Sequence, residues 1–329
     1  MTRYQLRDHA RMFAAYARND AYDAALRAVV RPGSIVLDIG TGCGLFALLA
    51  CRHGAARVYA VETEPSISIA RELATENRVA DRITFIHQRS TEVTLPERVD
   101  VTVADIRGVL PLAGSAVTSL IDARERLLKP GGAIVPRRDI LQATVVSAPQ
   151  IYSKAVDVWS GGGALGLSTA AARAAAIHQL VPADATDVTE LADPVDIAAI
   201  DYRTVATPSV AATGTWLVSA GTAHGLALWF EAELADGISY RSGPGSGDEL
   251  YGLAFLPWPQ AVTLTATTAV AVDLRADWIN GSYVWTWRTT IGGADPMLRF
   301  EQSTFRGGPI ALDRLPAVAC PERESKGLP

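Results

Sequence analysis

The chain has 329 residues, 49% hydrophobic and 20% charged, with a formal net charge of -5; that length suits two domains, and the acidic balance argues against nucleic acid or an anionic membrane as partner. Cys43, Cys51 and Cys320 form neither a disulfide framework nor a metal-ligand spacing, so no metal is expected. No early apolar segment follows the charged N-terminus and no run is long enough to span a bilayer, which makes a cytoplasmic protein the expectation.

Residues 4–29 carry helical spacing at Leu6, Met12, Phe13, Tyr16, Tyr22, Ala25, Leu26 and Val29, which predicts an N-terminal helical lid over 1–30. Ile35, Val36 and Leu37 then form a buried-strand run that meets Asp38 and a glycine turn, Gly40, Gly42 and Gly44. The apolar helix pattern Leu45 to Cys51 follows directly. This is the opening strand, turn and helix of a doubly wound fold, in which glycines let the backbone approach a ligand at a helix N-terminus. Arg57 to Glu62 reads as a second strand ending in an acid, Pro65 to Asn77 as a helix, and Ile83 to Ile86 as a third strand. Val99 to Asp105 is the fourth, and it delivers Asp105 to the carboxyl end of the sheet, where open α/β folds put their chemistry. Ala116 to Leu128 reads as a helix, Lys129 to Gly132 as a turn, and Ala133 to Pro136 as a further strand.

From Arg137 the pattern changes to alternating strands rich in Val, Thr and Trp. The candidates are 141–146, 198–205, 214–219, 226–232, 261–268, 270–273, 282–290 and 299–304. A run of antiparallel strands after an α/β half implies a β-barrel or sandwich. Between them, Ser168 to Leu180 is an Ala-rich helix unusually apolar for a surface element, and 317–329 read as a polar tail.

The word Gly40-x-Gly42-x-Gly44, with Asp38 two residues ahead, resembles motif I of the class I S-adenosylmethionine-dependent methyltransferases. His9, Met12, Phe13, Arg18 and Tyr22 match positions of H-x-x-M-L-x-D-x-x-R-T-x-x-Y, the N-terminal segment of the protein arginine methyltransferases, with Ala15 and Asn19 replacing that family's aspartate and threonine. The run from Leu128 through Lys129-Pro-Gly-Gly132 to Pro136 extends the likeness. The resemblance implies a seven-stranded Rossmann-like S-adenosylmethionine-binding domain (31–136), followed by an antiparallel β-barrel domain (137–329) with a dimerisation arm at about 160–190. A simple connector packed on its own barrel is the alternative reading of that arm. It also implies cofactor contacts: Arg18 to the cofactor carboxylate, Met12 beside the sulfonium, Glu62 to both ribose hydroxyls with Thr63 next to it, and Ser90 and Thr91 near the adenine. Asp38, Gly40, Gly42, Gly44 and Asp105 complete the cofactor set, with S-adenosylhomocysteine as product.

The resemblance breaks at the acceptor. The family holds its guanidinium between two glutamates in S-E-W-M-G-Y-x-x-x-Y-E. Here Asp105 replaces the first glutamate, Arg107 adds a positive charge, Gly108 matches the glycine, and Ala113 and Gly114 stand where the tyrosine and second glutamate would be. The T-H-W loop reads Leu256-Pro-Trp258. Losing one partner of a desolvated charge pair costs about 2–5 kcal/mol, so arginine methylation is not carried over. The apolar run Leu110 to Ala113 beside one carboxylate suits a small neutral ring. The expectation is therefore methyl transfer to nitrogen or carbon of a small, aromatic or indole-like natural product by a homodimer. Asp105 is the candidate base or orienting acceptor, and His9 is the second candidate base or else a half-buried structural histidine. Tyr4, Arg107 and Trp258 would meet the substrate. Two alternatives stay open. One is a protein (arginine-type) methyltransferase with a remodelled loop, with Glu231 or Glu233 as substitute clamp. The other is a non-catalytic cofactor-binding partner subunit.

Overall fold

The computed structural model describes residues 5–160, 166–247, 250–292 and 297–307. Two helices open it, α1 (Leu6–Ala14) and α2 (Tyr16–Val29). The break falls at Ala15, where Asn19 Nδ2 donates to the carbonyls of Met12 (3.0 Å) and Phe13 (2.9 Å). Those are end carbonyls that α1 cannot satisfy internally. Helix α2 buries Arg18, Tyr22, Ala25 and Leu26, a single stripe at helical spacing.

The first half is a parallel sheet in the order β3-β2-β1-β4-β5, built from β1 (Ile35–Ile39), β2 (Arg57–Glu62), β3 (Ile83–His87), β4 (Val99–Ala104) and β5 (Leu128–Val135). Its central strands are apolar runs because helices cover both faces. The helices are α3 (Leu45–Arg52), α4 (Ile67–Glu76) and α5 (Ala116–Asp122). This sheet has five strands rather than the seven expected. After Val135 the chain does not return to it: β6 (Arg138–Ser147) pairs with strands of the second half instead. The expected turn at 129–132 lies inside β5, and the helix over 116–128 ends in a π-helical turn from Ala123 to Leu127.

The second half holds α6 (Pro149–Ala155), α7 (Ala170–Ala176), β7 (Val181–Ala183), β8 (Thr189–Glu190), β9 (Val195–Asp201), β10 (Val210–Val218), β11 (Gly221–Ala235), β12 (Ile238–Arg241), β13 (Leu253–Leu264), β14 (Thr268–Ile279), β15 (Ser282–Ile291) and β16 (Leu298–Ser303). They form two antiparallel sheets, β7-β13-β11-β6-β8 and β10-β14-β15-β16, barrel-like but not one closed ring of strand pairs. Strand β11 is central, pairing with β6, β12 and β13. The Ala-rich helix lies against its own barrel: Arg173 Nη2 donates to the Pro259 carbonyl (2.8 Å), and His178 Nδ1 accepts the Ser303 N–H (2.9 Å). These contacts hold the helix and the turn after it on the barrel, while Val158, Trp159 and Leu167 are exposed beside it. The tail at 317–329 lies outside the described residues. Among the described residues no helix is long and apolar enough to cross a membrane.

Candidate functional site

The glycine turn closes on β2. Gly40 and Thr41 donate their N–H groups to the Val61 carbonyl at 2.8 and 3.1 Å. Gly40, Gly42 and Gly44 have φ of 72°, 55° and 90°, conformations open to glycine but strained for other residues. A Cβ on Gly40 would lie 2.2 Å from Ile106 Cγ2, and one on Gly42 3.1 Å from the His9 ring. His9, on α1, is therefore brought onto the turn and is buried there. Asp38 is fully buried beneath, accepting the Thr41 hydroxyl at 2.6 Å. Burial pushes its carboxyl up to about 7, against the opposing pull of the Thr41 hydroxyl and the Ala47 N–H.

Glu62 sits at the end of β2, where the strand pattern put it. Its Oε2 accepts the Gly42 N–H (2.9 Å), and its Oε1 accepts the N–H groups of Thr63 (2.6 Å) and Glu64 (2.9 Å). Ser90 is buried, whereas Thr91 and Thr63 are exposed and Met12 is half-buried. Tyr4 lies outside the described residues.

The carboxyl end of β4 holds a buried ionic chain. Arg18 Nε meets Asp105 Oδ2 at 2.5 Å, and Arg107 Nε and Nη2 meet Asp105 Oδ1 at 3.1 and 2.9 Å. Arg107 Nη1 continues to Asp139 Oδ1 at 2.6 Å, and Tyr202 donates to Asp139 Oδ2 at 2.5 Å. The Tyr22 hydroxyl accepts from Arg107 Nη2, Tyr251 donates to Asp105, and the Phe230 ring lies 4.8 Å from the Arg107 guanidinium carbon. The side chains of Arg18, Asp105, Arg107 and Asp139 are 5%, 1%, 2% and 0% exposed. Burial alone would raise the Asp105 carboxyl, but the two guanidiniums outweigh it and hold it below the ordinary carboxylate range. For Asp139 burial wins, and its carboxyl is raised despite Arg107 and Tyr202.

Several expected substrate contacts are placed elsewhere. Arg107 does not face an open pocket; it is locked between two aspartates. Leu110 and Leu112 are fully buried, and the Leu112 carbonyl accepts Trp285 Nε1 (3.3 Å), so these two leucines are core joining the two halves, while Ala113 is exposed. Trp258 is likewise fully buried, its ring centre 5.9 Å from that of Phe300. Glu233 cannot substitute as a clamp, since Arg138 (2.6 Å) and Arg137 (3.4 Å) hold it. Sequence reasoning missed Asp139, Tyr202, Tyr251 and Asn19. Asp139 carried a readable signal: it is an acid where β6 alternates toward the interior.

The residues fit S-adenosylmethionine. Each glycine turn position would be filled by a Cβ or strained by one, an acid that ends β2 is bonded to the turn, and a buried arginine lies on Asp105 and over the Phe46 ring of the helix that follows the turn. No cluster that would hold a metal occurs among the described residues.

Comparison with known proteins gives a consistent set. A family model described as ribosomal protein L11 methyltransferase (PrmA) matches residues 24–143. The probable protein arginine N-methyltransferase 6 of Arabidopsis thaliana is 29% identical over 72% of this chain and 55% of its own length. A rice relative, probable protein arginine N-methyltransferase 6.2, is matched over 61% of its length, so the chain spans little more than half of these plant relatives. The arginine N(omega)-methyltransferase of Streptomyces achromogenes subsp. streptozoticus is 30% identical over 82% of this chain and 75% of its own length. Among solved structures, a Trypanosoma brucei PRMT1 enzyme–prozyme heterotetrameric complex with AdoHcy superimposes with a TM-score of 0.81 at 18% identity, covering 90% of this chain and 96% of that one. Arabidopsis thaliana protein arginine methyltransferase 10 does so with a TM-score of 0.73 at 19% identity, over 90% and 96%. At such identities these two likenesses bear on the fold.

Proposed function

The chain belongs to the arginine N-methyltransferase family, and we propose that it is an S-adenosylmethionine-dependent methyltransferase acting on an arginine-type guanidino nitrogen through a remodelled acceptor loop. The observation that carries this is the meeting of Arg18, Asp105, Glu62 and the glycine turn at the carboxyl end of the parallel sheet. The natural-product acceptor loses its ground, because the leucines that suggested an apolar pocket, Leu110 and Leu112, are core and the relatives are named for arginine.

Bound S-adenosylmethionine would supply an electrophilic methyl carbon on a sulfonium. In this reading Arg18 holds the cofactor's carboxylate and Glu62 its ribose, with His9 and Ile106 covering the turn. Asp105 accepts the acceptor's N–H groups and aligns the attacking nitrogen. A carboxylate held low by two guanidiniums is a weak base, so its role is orientation and not proton removal. The lid at 1–30, the cofactor domain at 31–136 and the barrel at 137–329 are the functional units. The exposed Val158, Trp159 and Leu167 support a second copy of the chain as partner through the 160–190 segment.

A second reading, a non-catalytic cofactor-binding partner subunit, is favoured by one observation: Asp105 is engaged on both oxygens and Gly114 brings no second carboxylate. Incubation with methyl-labelled donor separates the readings. Label in the guanidino nitrogens of arginine or arginine peptides supports the first. Donor binding with no incorporation into those or a small-molecule extract supports the second.

A further inference from the structure

We propose that Arg107 sets the acceptor specificity of this site, occupying with its own guanidinium the face of Asp105 that an incoming guanidinium has to reach; this rests on the guanidino methyltransferase reading. The buried chain contains two cations, Arg18 and Arg107, and two anions, Asp105 and Asp139, so it is already charge-balanced. A guanidinium acceptor would be a third cation with no unengaged carboxylate in the cluster. Desolvating a charge without a partner is strongly unfavourable. It therefore enters only by exchange.

The geometry provides for that exchange. Arg107 holds Asp105 Oδ1 through Nε and Nη2, while Nη1 is anchored on Asp139 Oδ1, Nη2 also reaches the Tyr22 hydroxyl, and the plane lies over Phe230. When the contacts to Asp105 are given up, Arg107 remains paired. The vacated oxygen previously received two N–H groups from one planar fork. An acceptor guanidinium reproduces that pattern and a primary ammonium, a point charge, does not. Arg107 thus discriminates among acceptors through Asp105 and is a specificity-determining, positioning residue.

The test compares the intact chain with R107M/D139N, which removes one charge of each sign, and with R107K, which keeps the charge but loses the fork. Kinetics with an arginine peptide are read beside S-adenosylhomocysteine binding by calorimetry. The expected result for R107M/D139N is an acceptor KM at least about tenfold lower with kcat changed by less than about threefold and an unchanged dissociation constant for S-adenosylhomocysteine. R107K should fall between it and the intact chain. An unchanged or raised KM in R107M/D139N that still binds S-adenosylhomocysteine overturns the proposal. If that variant does not bind, R107K decides alone: a lowered KM supports it and an unchanged one overturns it. A chain that methylates guanidino groups but is indifferent to Arg107 refutes the gate only. If no form methylates any guanidino acceptor although all bind S-adenosylhomocysteine, the functional reading falls and the gate with it.

Discussion

The Glu62 carboxylate accepts the backbone N–H of Gly42 at 2.9 Å, so the acid at the end of β2 and the glycine turn after β1 form one bonded unit. Glu62→Ala removes the brace on the turn and, in the proposed function, the ribose acceptor. S-adenosylhomocysteine binding, followed as a thermal shift, should be lost. A shift equal to that of the unaltered chain would contradict the assignment.

Asp105→Asn keeps the shape of the side chain but removes the charge between two guanidiniums. Turnover should fall at least about tenfold, about 1.4 kcal/mol, with S-adenosylhomocysteine still bound. Its carboxyl is depressed in the fold, so the stabilisation it brings is present above the ordinary carboxylate pKa and is lost as pH falls through the lower folded value. Denaturant unfolding of the Asn variant should accordingly lose part of the acid sensitivity of the parent.

Asp38 behaves in the opposite sense. Its carboxyl is raised to about 7 by burial, so its favourable contribution holds below the ordinary carboxylate pKa and fades as pH rises through about 7. Asp38→Asn should lessen the fall in melting temperature between about pH 6 and about pH 8. An identical pH profile would show that Asp38 ionises without cost.

Tyr202→Phe leaves Asp139 Oδ2 without its donor in a fully buried place. A loss of about 1–3 kcal/mol is expected in denaturant unfolding. Leu110→Ala, in contrast, should cost about 2–5 kcal/mol by cavity formation while leaving acceptor preference unchanged, since Leu110 is core. A change of acceptor in that variant would return the leucine to the pocket.

Local rules made the first half readable. Strand runs, the glycine turn and the acid at Glu62 each declare themselves within a few residues, and the predicted strands of the second half overlap β6, β9, β10, β11, β13, β14, β15 and β16. The five-stranded outcome was hidden because Ala133 to Pro136 looks the same whether the next strand rejoins the sheet or leaves it. The site was only half legible for a similar reason. Arg18 and Asp105 lie 87 residues apart, the first placed by family likeness and the second by its strand end, but Arg107, Asp139 and Tyr202 pair across distances that no periodicity encodes. Arg107 reads as a substrate contact on its loop until the strand that buries it against Asp139 is known.

The ionic chain crosses from the parallel sheet into the antiparallel half at Asp139, just after β5 ends at Val135. Its consequence is that the two halves are not modular. A fragment ending near Pro136 would keep Asp105 and Tyr22 beside Arg107 but lose Asp139 and Phe230, taking from this cation its second carboxylate and the ring that covers it. Such a fragment should fail to fold on its own, and recombination between relatives at this boundary would be tolerated only where arginine and aspartate travel together.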